Sequence, residues 1–289
     1  LGRFDPSNDW QVRGAQFAKA VAAEPNDADV LMLHAGFWLS ETGQSQEAVR
    51  ELARAYEIDP TSNLLLNRYC EALIAVNDIA TVEKVITKRV AATPEMGVLW
   101  QVILVDRLRK RDFAGARAYR DKLYATYDKL ADKIPGTQLA DAKTHLDAII
   151  DALETNDPAK IDAVVATMRE DLKLGQAAAA QATFNFALMG RFDLAKEVLG
   201  KLYLDDGYKL DAVAAPTMVP VEYPNGRVPT SYLMNDFFKP LRKEPLLWRI
   251  FAAKGLAQYW LASGVWPDFG AEIGGAEACK AEAEKAVAA

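Results

Sequence analysis

Apolar residues recur along most of the chain at helical spacing, in paired runs separated by short polar turns. Three prolines, Pro25, Pro60 and Pro94, close three similar segments at intervals of 35 and then 34 residues. Each segment reads as two amphipathic helices about a turn. In the first, Gly36 and Gly43 precede Ala48, Ala55 and Pro60. In the second, Asn77-Asp78 makes the turn and Ile79, Val82 and Ile86 follow. In the third, Trp100 opens the first helix, Arg111-Asp112-Phe113 turns, and Ala116 follows. Small residues such as Gly36, Ala48 and Ala55 let two helices approach, and Trp100 and Phe113 fill the gaps beside them. Proline ends a helix because it lacks an N–H donor and clashes with the preceding turn. A further unit turns at Gly190-Arg191-Phe192-Asp193 and continues with Ala195, Leu199 and Leu202. Between it and the third lies a looser pair, roughly 138–154 and 158–172, broken at Asn156-Asp157-Pro158. A lone helix over 9–23 precedes the array.

The pattern changes near Leu204. Pro216, Pro220, Pro224 and Pro229, with Asn225-Gly226, predict a loop or short hairpin over 204–236. Helical spacing then resumes, with Trp248, Phe251, Tyr259, Trp260 and Trp266 dense enough to read first as a packing cluster. The expected layout is helical repeats over 1–203, the proline-rich stretch over 204–236, and an aromatic-rich helical cap and tail over 237–289. The cap is expected to cover the apolar face left by the last repeat.

The 34-residue period over 9–203 resembles the tetratricopeptide repeat family. That resemblance implies an all-α fold, a right-handed helical-repeat solenoid with a concave face lined by the first helix of each pair. A narrower resemblance lies in Gly255-Leu256-Ala257-Gln258-Tyr259-Trp260 and Gly264-Val265-Trp266-Pro267-Asp268-Phe269. These motifs are similar to the carboxyl end of bacterial regulators that join a winged-helix DNA-binding domain to a tetratricopeptide module, often through a membrane helix. In that group, the resemblance implies, a cysteine follows the Asp-Phe pair. This chain has Gly270 there, which leaves Cys279 without a disulfide partner.

Composition narrows the function. At 51% hydrophobic and 26% charged, the 289 residues form a core-building protein. The net charge of -6 argues against a nucleic-acid surface. No apolar run is long enough to span a bilayer. Two cysteines and two histidines are too few for a disulfide framework or a zinc site. Cys70, aligned with Gly36, reads as a small hydrophobe at a helix crossing. His34 reads as a helix-interface histidine, and His145 with Asp141, four residues back, as a surface pair. No nucleophile, phosphate loop or cofactor motif is present, so no enzyme and no cofactor is expected. The chain starts at Leu1 with no charged-then-apolar leader, which suggests a fragment of a longer protein or a mature product. The compartment stays open between cytoplasmic and, given a membrane tether outside the chain, periplasmic.

A binding role remains. Aligning the repeats in steps of 34 puts Leu33, Asn67 and Gln101 at one position of the concave face. Phe37, Glu71 and Val105 fall four residues on, with Arg109 nearby. Chaperone-binding members clamp a peptide carboxylate with lysine and asparagine or arginine at these places; the set Leu, Asn, Gln and Phe, Glu, Val does not support that clamp. The expected partner is a protein, a peptide or a small-molecule signal, with homodimerisation open. The expected function is a non-catalytic sensor or interaction module of a bacterial transcriptional regulator; the alternative is a free-standing scaffold.

Overall fold

A computed structural model describes residues 10–132, 136–205 and 230–289. The described residues are helical throughout, with no strand among them. The hairpin expected near 220–229 lies outside them. The chain divides into two compact units. One comprises residues 10–78 with 230–289; the other runs from 79 to 205.

The first unit begins with α1 (Trp10–Ala23) and α2 (Ala28–Gly36), the latter capped by the Asp27 carboxylate, which accepts from the Val30 amide at 2.9 Å. A π-helical turn, Phe37–Thr42, continues α2 and ends at Gly43, whose φ of 71° is open to glycine without strain. α3 (Ser45–Ile58) and α4 (Asn63–Ala75) follow, and Ser62 caps α4. Leu31, Ala48, Leu52, Ala55, Leu65 and Leu66 form the core between them, each at 1% exposure or less. Ala48 and Ala55 lie two turns apart on α3, where small side chains permit close helix packing.

The carboxyl-terminal segment packs into this same unit. It contains α12 (Pro245–Ala253), α13 (Leu256–Ser263), the short α14 (Gly270–Ile273) and α15 (Ala276–Ala288). Trp248, Phe251, Trp260 and Phe269 form a four-ring cluster in which every pair of rings lies 5.1–6.4 Å apart. Edge-to-face contacts dominate it, as the ring quadrupoles favour. Of the five aromatics expected to form the cap, Trp248, Phe251 and Trp260 are buried; Tyr259 and Trp266 are only half-buried. Within its unit the segment packs against the corner between α2 and α3. Trp260 Nε1 donates to the Thr42 carbonyl at 2.7 Å, and the Asp268 amide donates to the Gly43 carbonyl at 3.1 Å. The Asp268 carboxylate accepts from the Gln46 amide at 2.8 Å. It supplies α3 with an N-terminal acceptor that Gln44, at the capping position, does not provide.

Residues 270–289, read from sequence as a tail, include the thirteen-residue helix α15, packed on α12 and α13. Only Cys279 and Ala283 of α15 are buried, one turn apart. Alanine-rich surroundings give such a helix almost no periodic signature. Arg242, 3% exposed, ties the segment internally. Its guanidinium donates to Glu272, to the Met234 carbonyl at 2.9 Å and to Asp236 at 3.3 Å, and stacks 5.2 Å from the Phe269 ring.

The second unit holds α5 (Ile79–Ala92), a 3₁₀ turn at Pro94–Leu99, α6 (Trp100–Arg109), α7 (Phe113–Lys129), α8 (Gly136–Thr155), α9 (Pro158–Asp171), a further 3₁₀ turn at Leu172–Leu174, α10 (Gln176–Leu188) and α11 (Phe192–Tyr203). Consecutive helices pack as α6 on α7, α8 on α9 and α10 on α11. Asp112 caps α7, and Asp157 caps α9, which opens with Pro158.

The helix-pair turns repeat one backbone device. Gly43, Asn77, Arg111, Asn156 and Gly190 all take left-handed φ, between 51° and 72°. The first three lie 34 residues apart and the last two 34 apart, with a step of 45 between the groups. At Asn77, Arg111 and Gly190 the next amide reaches back to the carbonyl five residues before it: Asp78 to Leu73, Asp112 to Arg107, Arg191 to Phe186. This is the hydrogen-bond pattern that closes a helix on a left-handed residue. At Gly43, Arg111, Asn156 and Gly190 the helices on either side of the turn pack on each other.

Candidate functional site

A cavity of about 680 Å³ opens in the second unit, between α6, α8, α9 and α10. Each helix contributes residues three or four apart, the spacing that sets side chains on one face. Gln101, Val105 and Leu108 come from α6; Asp141, His145 and Ile149 from α8. Val164, Met168 and Asp171 come from α9, and Gln181, Asn185 and Leu188 from α10. Tyr127 enters from α7. Most of the wall is apolar, and the polar groups are spread among five helices.

Tyr127 is 4% exposed, and its hydroxyl makes no hydrogen bond among the described residues. Burial alone raises its pKa to about 12, so the phenol keeps its proton. Asn185, also buried, accepts only a long bond from the Gln181 amide at 3.4 Å. These side chains retain hydrogen-bonding capacity inside the cavity wall.

The charged lining is acidic. Asp141 is exposed and Asp171 half-buried, and among the described residues no lysine or arginine lines the cavity. Other carboxylates on α8 and α9 are paired: Asp147 with Arg120 at 3.1 Å, Asp151 with Lys160 at 2.7 Å, Asp162 with Arg191 at 3.6 Å. Asp141 and Asp171 make no ion pair among the described residues. His145 and Asp141, four residues apart, both line the cavity without pairing to each other.

The candidate residues from sequence divide between the units. Gln101 and Val105 line the cavity. Arg109, on the same helix, pairs with Asp106 at 2.8 Å and does not line it. In the first unit, Leu33 is half-buried on α2. Phe37, 3% exposed, packs among the rings of Phe17, His34, Trp38 and Tyr259. Asn67 on α4 buries an Oδ1 that finds no partner. Glu71 accepts from Arg68 at 3.0 Å and from the Ser231 hydroxyl, so it holds the carboxyl-terminal segment. His34 lies in the same aromatic nest, its Nδ1 2.8 Å from Glu51. Cys70 is 2% exposed, and burial pushes its thiol up to about 12, consistent with an inert packing residue.

Tyr127, Asp171, Gln181 and Asn185 escaped the sequence reading. The signal that could have located their helices is the left-handed turn. Gln101 lies ten residues before Arg111, and Leu146, ten before Asn156, also lines the cavity. No described helix is long and apolar enough to cross a membrane, and no described group of three His, Cys, Asp or Glu side chains is placed to hold a metal. No family model, curated protein or solved structure matches the chain.

Proposed function

We propose that this chain is a non-catalytic binding module of the tetratricopeptide type, and that the cavity among α6, α8, α9 and α10 is where it takes its ligand. The observation that carries the proposal is the cavity's make-up. Its volume of about 680 Å³ falls in the range of small-molecule sites, ~300–1,000 Å³, which are mostly apolar with a few polar groups fixing orientation. Tyr127, Asn185 and Gln181 supply such groups. Binding without catalysis is favoured because the lining's one histidine has no partner that would activate or orient it. In the wider reading the module is the sensing part of a bacterial transcriptional regulator, on the strength of the Gly-Leu-x-x-Tyr-Trp and Gly-x-Trp-Pro-Asp-Phe motifs. A winged-helix segment encoded in the same reading frame would support that reading; a frame encoding a free-standing scaffold would end it.

The test of the binding site is a cavity-filling variant. Ala163 on α9 is an exposed lining residue, so Ala163→Trp occupies cavity space without disturbing the core. Protein equilibrated with a cell's small-molecule extract and then dialysed should retain a compound, identified by mass spectrometry, that Ala163→Trp does not retain. Equal retention by the two proteins would place binding elsewhere.

A further inference from the structure

We propose that the cavity's ligand is a small organic cation: an ammonium or guanidinium group on an apolar body, its charge met by Asp141 and Asp171. This rests on the reading of the cavity as the binding site and names the class of ligand.

Three observations carry it. First, the charge at the wall is of one sign. Asp141 and Asp171 line it, and among the described residues no lysine or arginine does. Second, these two stand apart from the habit of their own helices, where Asp147, Asp151 and Asp162 each face a cation within 4 Å. A carboxylate beside a low-dielectric wall without a counter-ion attracts a cation more strongly than one in open water. Third, Tyr127, 4% exposed as a residue, lines the cavity, and its hydroxyl makes no hydrogen bond among the described residues. That hydroxyl is free to bond a ligand in the cavity. An anion would meet two carboxylates and no compensating cation. A neutral ligand would leave the two charges unanswered.

Three shape-matched probes separate the possibilities: 4-phenylbutylamine, 4-phenylbutan-1-ol and 4-phenylbutyrate, titrated by calorimetry into the intact chain. The amine should bind at least tenfold more tightly than the acid, with the alcohol between them. Asp141→Asn combined with Asp171→Asn should bring the amine down to the alcohol's affinity and leave the alcohol unchanged. Retained alcohol binding also certifies that the variant is folded. An acid that binds as tightly as the amine, or an amine preference that survives the double variant, overturns the cationic assignment. If the alcohol binds and Ala163→Trp abolishes it, but charge makes no difference, the cavity reading stands and this inference falls. If no probe binds, both fall.

Discussion

Gly270 is held to its identity by a single neighbour. A Cβ built on it would lie 2.8 Å from Cys279 Sγ, closer than a carbon and a sulfur pack without a bond. Alanine there would clash, yet cysteine would meet the geometry of a bridge, because Cβ and the opposite sulfur of a disulfide are only about 3 Å apart. Gly270→Cys should therefore oxidise onto Cys279 and stabilise the chain by about 2–3 kcal/mol, given the short loop enclosed. Thiol titration after oxidation should find Cys70 alone; two further free thiols would refute the geometry. The sequence already marked Gly270 as the departure from the regulator pattern. That its Cα faces Cys279 was not readable, because the turn at Gly274-Gly275 that folds α15 back has left-handed φ at two successive residues and no periodicity.

The left-handed hinge sets the shape of each helix pair. Gly190 tests it cleanly, since its φ is 72° and a Cβ there would meet nothing within 4 Å. Gly190→Ala should cost about 1–2 kcal/mol from backbone strain alone, read as a lowered urea midpoint at unchanged slope. No loss would mean that the turn relaxes without penalty. These hinges were largely readable: Asn77, Arg111 and Gly190 all fell within turns identified from sequence, and Asn156 marked the break in the looser pair. The 45-residue step between Arg111 and Asn156 was not used, so the facing residues of α8 and α10 went unaligned. The 34-residue alignment found Gln101 and Val105; it missed Asn185 on α10 for that reason, and Tyr127 on α7 and Asp171 on α9 because only the first helix of each pair was aligned. The seat of Trp260 on Thr42, 218 residues away, lay equally beyond local pattern. An aromatic run announces burial without naming the surface that buries it.

For the whole molecule, burial raises the pKa of several acids, and two to which no charge or hydrogen bond contributes show how stability responds to alkali. Cys70 in the first unit moves from 9.0 to about 12, and Tyr127 in the second from 10.0 to about 12, in both cases through burial. Each keeps its proton in the folded chain at a pH where the unfolded chain has released it. Their contribution is thus complete below pH 9 and is lost as pH rises toward 12, at about 1.4 kcal/mol per pH unit for each group within its window. Denaturation measured at pH 8, 9.5 and 10.5 should show falling stability, and Cys70→Ala should flatten the decline that begins near pH 9. Stability that holds level to pH 10.5 would mean that these groups titrate normally. Burial is the sole cause of both shifts, with no charged neighbour contributing, so added salt should leave the decline in place.

The central claim is that the cavity of the second unit is a ligand site, and nuclear Overhauser contacts from bound 4-phenylbutylamine to assigned methyl groups test it most directly. The account predicts contacts to Val105, Ile149 and Val164, which share the cavity from three different helices. Contacts confined to methyls of the first unit, such as Leu33, would contradict it.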